Sequence, residues 1–445
     1  MRPFILCALL LLAPVAALAT NAILVGFLDV SPSRQYTDVW GWVDPQTQRY
    51  YALVGNNASG LHIVDVTDPS LPFGVATVTA VPRFDIKTLG SLVYSVDGLI
   101  GGPGGILDIT NPASPVVVGS FPGGHNVFID DQAYLYVCLP GLKIYDLNPD
   151  PTAPELVWED AMSDGFDGHD ATVIGNTLYE FRGAYGIRFW DVADRHAPVP
   201  LGGITDTTIT YAHNGWPTED GRHLFITDEF STHPAPDITV WDVSDMLYPR
   251  RVAEIGDPAS SVHNCYVVGD LLYVAYYVAG FRVYDISDPV NPVLADTEDT
   301  SAMTGEGILE GAFGCYPFSP DGHIYVNDRP NGLFVFRIDT PPPTGVRTPQ
   351  PRASLLELHG GAPNPFSAAT SIRYVLGAAA QVSSEVYDAA GRRVRRLASG
   401  SRPGGEHVMT WDGRNDDGVA MPSGVYFCRV SAGGESRTGR LVLLR

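Results

Sequence analysis

GLHIVDVTDP, residues Gly60–Pro69, decides the fold of this chain because its pattern recurs along most of the sequence. Apolar residues come in short runs bounded by Gly, Pro, Asn and Asp, which is typical of many short β-strands. The clearest further copies begin at Gly141, Gly186, Ile238 and Gly280, and weaker copies begin at Gly105 and Gly332. The chain therefore contains seven copies of one unit.

Each copy follows a strand-like segment and precedes a Pro-bearing turn with another apolar strand, so one repeat supplies four strands. A pitch of about 40 to 50 residues with four strands per unit is what a β-propeller blade requires, because a lone blade cannot bury both faces. A solenoid is the main alternative, but its repeats are usually shorter or helical. The sequence predicts an all-β fold whose main part is a seven-bladed β-propeller.

The N-terminal strand is expected to close the ring. Residues 22–29, AILVGFLD, resemble the last strand of a blade, whereas the seventh repeat runs into Pro341 without such a strand. Placing the N-terminal strand in the last blade removes the exposed edges that an open sheet would offer to aggregation.

Residues 1–19 read as a secretory signal peptide. Arg2 provides a short basic start, residues 4–12 form the apolar run, and Ala17-Leu18-Ala19 is a small-residue cleavage site. The run is too short for a membrane anchor, and no other segment approaches the length of a transmembrane helix. Beyond it we assign 20–340 to the propeller, 341–352 to a Pro-rich linker and 353–445 to a small Ig-like β-sandwich.

Charge divides the chain in the same way. Residues 353–445 contain 11 Arg, no Lys and 8 Asp plus Glu, a balance of +3, so the total of −22 leaves −25 for the residues before them. A surface this acidic repels nucleic acid and anionic lipid and suits cations or cationic partners. We therefore expect no nucleic-acid partner.

Four histidines occupy one position of successive repeats, just ahead of a strand. They are His125, His169, His213 and His263, separated by 44, 44 and 50 residues. In the earlier blades the matching position falls near Asp38 and Asp85, and in the last near Glu310 or Phe313. Because the innermost strand of each blade lines the central channel, these imidazoles and the two carboxylates are expected to converge on the axis.

Two hypotheses follow for this ring. Imidazoles and carboxylates are usual ligands of divalent transition metals, so His125, His169, His213 and His263 with Asp38 and Asp85 are candidate metal ligands. Alternatively, each His bonds neighbouring backbone and has a structural role that the repeat copies from blade to blade.

Polar residues at nearby strand ends extend the candidate site. Asp228, Glu229 and Tyr276 are candidate ligand-binding residues, although solvated strand ends or salt bridges would explain the same pattern. The chain has no GxSxG elbow, HExxH motif, Walker loop or dinucleotide fingerprint, so no catalytic residue is assigned.

The repeat resembles the LVIVD repeat, seen here as Leu61-His62-Ile63-Val64-Asp65. The span from Asp38 to Phe336 resembles the secreted choice-of-anchor B family, through DVWGWVDP at 38–45, HD at 169–170, HNGW at 213–216, DE at 228–229 and HN at 263–264. The resemblance implies a secreted propeller with a variable C-terminal anchor and brings no agreed activity. Phe313 stands where the resemblance leads us to expect Trp.

The C-terminal segments are similar to the Ig-like type A sorting domain of type IX secretion and to a flagellar hook-cap Ig domain. The resemblance is carried by PNPF at 363–366, TSIRY at 370–374, VYDAAGR at 386–392, WDG at 411–413 and SGVYF at 423–427. It implies export across the outer membrane of a Gram-negative bacterium by the type IX machinery, followed by release or retention at the surface. An ordinary Ig binding module is the alternative.

Two functions remain open at this stage. One is a cell-surface or extracellular propeller that binds a protein, a glycan or a small ligand at the His-lined channel. The other is a metal-dependent hydrolase or lyase, in which the His and Asp ring holds the metal and Glu229 or Tyr276 acts as acid or base.

Overall fold

A computed structural model describes residues 21–31, 33–160, 168–301, 309–339, 356–364, 366–376, 379–388, 392–416, 418–432 and 435–444. The predicted signal peptide at 1–19 and the linker at 341–352 lie outside these residues. Every regular element in the described part is a β-strand. No helix there could span a membrane. The chain divides into two compact units, Met1–Pro341 and Pro342–Arg445.

The described residues of the N-terminal unit form 28 short strands. They are β1 (Asn21–Leu28), β2 (Tyr36–Val43), β3 (Tyr50–Asn56), β4 (Gly60–Asp65), β5 (Phe73–Val78), β6 (Asp85–Leu89), β7 (Leu92–Val96), β8 (Pro103–Asp108), β9 (Val116–Pro122), β10 (Asn126–Ile129), β11 (Tyr134–Cys138), β12 (Leu142–Asp146), β13 (Glu155–Glu159), β14 (Asp170–Ile174), β15 (Thr177–Phe181), β16 (Ile187–Asp191), β17 (Val199–Ile204), β18 (Ala212–Pro217), β19 (His223–Asp228), β20 (Ile238–Asp242), β21 (Arg250–Ile255), β22 (Cys265–Val268), β23 (Leu271–Ala275), β24 (Phe281–Asp285), β25 (Val293–Glu298), β26 (Ala312–Tyr316), β27 (His323–Asp328) and β28 (Gly332–Asp339).

These strands form seven four-stranded antiparallel sheets. Sheets 1 to 6 are β2–β5, β6–β9, β10–β13, β14–β17, β18–β21 and β22–β25, each paired in chain order. Sheet 7 combines β26, β27 and β28 with β1, which pairs antiparallel to β28 from Asn21 opposite Asp339 to Leu28 opposite Leu333. The N-terminal strand thus takes the place at which the sequence predicts it.

The first strands of the sheets contact one another in a ring. β2, β6, β10, β14, β18, β22 and β26 are in contact in this order, and β26 also contacts β2. Neighbouring sheets pack face to face, as where Leu53 and Ile63 of sheet 1 share a core with Ile86 and Leu107 of sheet 2. The third strand of sheet 1, β4, is consequently buried along its whole length, whereas its outer neighbour β5 is largely exposed.

Two further features accompany the repeat stretch in sheets 1 to 6. Its Asp closes the following turn, as where Asp65 accepts the Thr67 N–H at 3.0 Å, a bond that Asp side chains favour in turns. The third and fourth strands shift register at the same place in six sheets, which increases local twist. These shifts fall at Ile63/Val64, Ile106/Leu107, Ile144/Tyr145, Phe189/Trp190, Val240/Trp241 and Val283/Tyr284.

The C-terminal unit is a small β domain of two sheets around one core. Its strands are β29 (Leu356–Ala362), β30 (Thr370–Leu376), β31 (Ala380–Asp388), β32 (Arg393–Arg402), β33 (Gly405–Trp411), β34 (Gly424–Ala432) and β35 (Glu435–Leu443). One sheet has the order β29-β30-β33 and the other β32-β31-β34-β35. Both contribute to a core that includes Ile372, Val386, Trp411 and Tyr426.

Candidate functional site

A closed ring of six aromatic and imidazole side chains lies where the first strands of sheets 2 to 7 begin. Going round it, the centroids are 4.9 Å apart for Phe84 and His125, 4.6 Å for His125 and His169, 4.3 Å for His169 and His213, 4.3 Å for His213 and His263, 3.8 Å for His263 and Phe313, and 5.8 Å for Phe313 and Phe84. We call this set the axial ring. The structure thus brings together all four histidines that the repeat spacing predicts.

Backbone carbonyls orient the imidazoles of the axial ring. His169 Nδ1 donates to the carbonyl of His213 at 3.2 Å, and His263 Nδ1 donates to that of Phe313 at 2.7 Å. Each of these bonds therefore joins one sheet to the next. His125 Nδ1 donates to Gly98 at 2.6 Å. Because a carbonyl only accepts, these bonds place the proton on Nδ1 and leave Nε2 as the free lone pair.

Burial keeps three of these imidazoles neutral. Desolvation lowers the pKa of His169 and His263 well below 6.5 and that of His213 to about 3, and repulsion between neighbouring imidazoles adds to the shift. A histidine whose folded pKa is lowered contributes stability above its unfolded pKa near 6.5, and that contribution is lost as the pH falls below it.

We expect His263→Phe to reduce the acid lability of the protein. Two sheets already carry Phe at this position, so the ring accommodates the substitution, and the variant has no group to protonate there. Between pH 6.5 and 5, the variant's free energy of unfolding should fall less steeply than that of the wild type, by up to about 1.4 kcal/mol per pH unit. Denaturant unfolding at several pH values measures this difference. Equal slopes would mean that His263 is protonated in the folded protein.

Glu229, which directly follows β19 in sheet 5, lies close to two histidines of the axial ring. One donor atom from each of His169, His213 and Glu229 can be chosen so that all three lie within 4.8 Å of one another, and all three residues are buried. Glu229 Oε2 is 3.6 Å from His213 Nε2. Its other oxygen accepts the Tyr277 hydroxyl at 2.5 Å. These residues form a carboxylate–imidazole cluster at the axis.

Asp38 and Asp85, which the sequence proposes as metal ligands, make different contacts. They stand one residue after the ring position, as do Asn126, Asp170, Asn214 and Asn264, and we call these six buried residues the Asp/Asn layer. Asp38 Oδ2 accepts the Ile86 N–H at 3.2 Å and Asp85 Oδ2 accepts the Val127 N–H at 2.7 Å. Each carboxylate thus joins its own sheet to the next.

A buried lysine, Lys87, offsets the negative charge of these carboxylates. Lys87 Nζ is 2.5 Å from Asp85 Oδ1 and 3.5 Å from Asp38 Oδ2, and it lies 4.4 Å from the centroid of the Trp40 ring. Burial favours the neutral carboxyl, but Lys87 holds the pKa of Asp85 below its ordinary value, whereas the pKa of Asp38 is raised. Asp38 and Asp85 therefore bind Lys87 and backbone amides of the neighbouring sheets, and they do not take part in the imidazole cluster.

The other two candidate ligand-binding residues are turned into the protein. Asp228 accepts the backbone N–H groups of Thr210 at 2.6 Å and Tyr211 at 2.8 Å. Tyr276 is fully buried and donates its hydroxyl to Asp237. Asp228 therefore fixes the segment that carries Glu229, and Tyr276 joins sheet 6 to the residue that precedes β20 in sheet 5.

A cavity of about 240 Å³ opens above the axial ring. Besides the ring side chains, its lining includes Tyr211, Glu229, Phe230, Tyr277 and Arg329. The Arg329 guanidinium lies 5.0 Å from the Phe313 ring centroid, and Arg329 Nε is 3.6 Å from Glu310 Oε2. The cavity therefore combines a carboxylate, a guanidinium, two phenols and free imidazole lone pairs with aromatic walls.

Sequence reasoning missed Phe84, Tyr211, Phe230 and Arg329. A signal for Phe84 was present, because an Asp or Asn follows each ring histidine, and Phe84 precedes Asp85 in the same way. Phe84 N also donates to the facing strand at 2.7 Å, as His125 N does at 2.8 Å. Tyr211, Phe230 and Arg329 lie outside the strands, where the repeat pattern offers no register.

Models of known families match parts of both units. The LVIVD repeat matches residues 50–79, 105–122 and 259–300, and the FlgD Ig-like domain matches residues 366–436. No curated protein matches the chain.

Solved structures show the fold of the N-terminal unit. The WD40 β-propeller domain of Doa1 is 14% identical with a TM-score of 0.51, over 71% of this chain and 97% of that one. The mitotic checkpoint complex matches at 12% identity and a TM-score of 0.50, over 75% of this chain and 99% of that one. PorZ, a bacterial surface component of the type IX secretion system of Porphyromonas gingivalis, matches at 14% identity and a TM-score of 0.45. The match covers 90% of this chain and 58% of the PorZ chain. The N-terminal unit is β-propeller-like.

Proposed function

We propose that the chain is an exported protein whose seven-bladed β-propeller, closed by the N-terminal strand, binds a small ligand in its axial cavity. The observation that carries the proposal is the cavity itself, in which buried polar groups converge between aromatic walls. Binding sites typically pair apolar walls with a few convergent polar groups. A volume of about 240 Å³ lies below the range for drug-sized ligands, so the ligand is small.

The lining suggests how such a ligand is held. Tyr211 and Phe230, whose ring centroids are 4.8 Å apart, form an aromatic wall beside His169. Arg329 offers a cation to an anionic group, while Glu229 and the free Nε2 atoms accept donors. A ligand with a small apolar body and at least one anionic group satisfies both sides. The protein or glycan partners considered from the sequence would need to present a group of this size.

Export is the second part of the proposal. The predicted signal peptide at 1–19 supports passage across the inner membrane. The FlgD Ig-like match and the resemblance to type A sorting domains support recognition of the C-terminal unit by the type IX secretion machinery. The protein then resides at the outer-membrane surface or outside the cell of a Gram-negative bacterium, where its acidic propeller favours solubility.

A ligand screen tests the binding function. Saturation-transfer NMR on the full mature chain, with mixtures of monosaccharides, amino acids and small carboxylic acids, should identify at least one bound class. Phe230→Ala should weaken that ligand about tenfold, because the side chain is 45% exposed and lines the cavity without belonging to the core.

Tyr248→Ala is the matched control, since Tyr248 is a 76% exposed aromatic residue between the outer strands of sheet 5. Its binding should equal that of the wild type. Absence of transfer from every class, or equal affinity in the Phe230 variant, contradicts the function.

A metal-dependent hydrolase or lyase is a second candidate, favoured by the buried cluster of His169, His213 and Glu229. In this case Glu229 would be a ligand, and the acid or base role passes from Tyr276, which lies outside the cavity, to Tyr277, which lines it. Turnover of the bound ligand, rather than binding alone, distinguishes this function.

A further inference from the structure

We propose that His169, His213 and Glu229 bind one divalent transition-metal ion, with at least one coordination position open to the cavity. The inference rests on the proposed function, because it names the group to which the cavity ligand attaches. The proposed site has three ligands, whereas the sequence predicted a metal site of four histidines and two aspartates.

The geometry of the cluster is the first argument. Among the residues that the structure describes, it is the one group of three His, Cys, Asp or Glu side chains whose donor atoms come within 4.8 Å of one another. In a tetrahedral zinc site with metal–ligand bonds of about 2.0–2.1 Å, ligand atoms are about 3.3 Å apart. The 3.6 Å from His213 Nε2 to Glu229 Oε2 is already close to that value.

The partners behind the cluster are the second argument. Metal-bound imidazoles almost always donate their other N–H to a carbonyl or carboxylate, and metal-bound carboxylates accept further hydrogen bonds. His169 donates Nδ1–H to the His213 carbonyl, and Glu229 accepts the Tyr277 hydroxyl on the oxygen that faces away from His213. Asp228, the residue before Glu229, is held in place because its carboxylate accepts the backbone N–H groups of Thr210 and Tyr211. Two of the three ligands, His169 and Glu229, are therefore oriented before any ion binds, whereas His213 Nδ1 is buried without a hydrogen-bond partner among the described residues.

The donor set indicates the kind of ion. Two imidazoles and one carboxylate suit zinc, iron, cobalt, nickel or copper, whereas calcium and magnesium prefer oxygen ligands alone. Three protein ligands leave a position for water or for a ligand, which is typical of catalytic and ligand-binding sites rather than closed structural ones. Glu229 and both histidines line the cavity, so that position faces it.

Cobalt titration of the chelator-treated full chain tests the site. One Co²⁺ per chain should bind and give visible absorption bands of low coordination number, and added azide should shift the bands through the open position. His213→Ala and Glu229→Gln should weaken binding at least about tenfold, and Tyr277→Phe by about tenfold because it removes the bond that orients the carboxylate.

His125→Ala is the matched control, since it removes a ring imidazole that is outside the cluster. It should bind cobalt like the wild type, and circular dichroism confirms that each variant is folded. The site is overturned if the wild type binds less than one ion per chain at millimolar Co²⁺. It is equally overturned if His125→Ala weakens binding as much as His213→Ala.

The two proposals fail separately. Small-ligand binding that persists in the presence of chelator and depends on Phe230, together with an absence of stoichiometric cobalt, removes the metal site and leaves the binding function. Stoichiometric cobalt binding, together with no bound ligand from any screened class, removes the binding function and leaves the metal site.

Discussion

Lys87→Met is expected to destabilise the N-terminal unit by about 3–5 kcal/mol, the usual cost of leaving a buried charge without its partner. Lys87 Nζ donates to Asp85 at 2.5 Å and to the Ile86 carbonyl at 3.1 Å, and it lies over Trp40. The variant leaves Asp85 and Asp38 facing each other inside the protein. Because Asp85 also accepts the Val127 N–H, the loss extends to the junction between sheets 2 and 3.

Urea unfolding of residues 20–445 at pH 7 measures this effect. Lys143→Met is the control, because Lys143 contacts the Pro140 carbonyl rather than a buried carboxylate, and it should change stability by less than about 1 kcal/mol. Lowering the pH to 5 should recover part of the deficit, since the unpaired aspartates then bind protons. A Lys87 variant as stable as the Lys143 variant would show that the layer is hydrated instead of buried.

Removing β1 is expected to have the other large effect. Deletion of residues 21–28 leaves β28 as an open edge and strips Val25 and Leu28 from the core that Leu333 and Val335 share with sheet 1. We expect the melting temperature to fall by at least about 10 °C and the protein to associate through the exposed edge. Calorimetry and size-exclusion chromatography measure the two changes.

Relocating the strand provides the control. Asn21 lies opposite Asp339, so a two-residue Asn-Gly turn can join residue 339 to residue 21 and place the same strand after β28. This variant should regain the melting temperature and the elution volume of the wild type. A deletion variant as stable as the wild type would mean that the other three strands of sheet 7 suffice to close the ring.

The repeat accounts for how much of the fold could be predicted from sequence. The pattern around Leu61-His62-Ile63 specifies a strand buried on both faces, and that environment recurs between every pair of neighbouring sheets. The Pro-rich end of the last repeat indicated a missing strand, and β1 occupies its place. The register shift within each sheet was not predictable, because two-residue alternation carries no mark of an inserted residue.

The site was predicted less completely than the fold, because the position of the ring in the first two repeats was misjudged by one residue. The repeat spacing aligned the four histidines correctly. Asp38 and Asp85, however, lie one residue after the ring position, and in sheet 2 that position is held by Phe84, which cannot bind a metal. Glu229 was found by its position at a strand end. Its association with His169 and His213 depends on a segment held by Asp228, and no periodic pattern encodes it.

The buried Asp/Asn layer has a consequence for how anything enters or leaves. Its six members and Lys87 are each less than 9% exposed and follow the ring position along the first strands. We therefore expect the proposed ligand to enter and leave on the side of the cavity away from this layer, past Tyr211 and Phe230. A substitution that narrows this opening should lengthen the residence time of the ligand without altering its contacts with the axial ring.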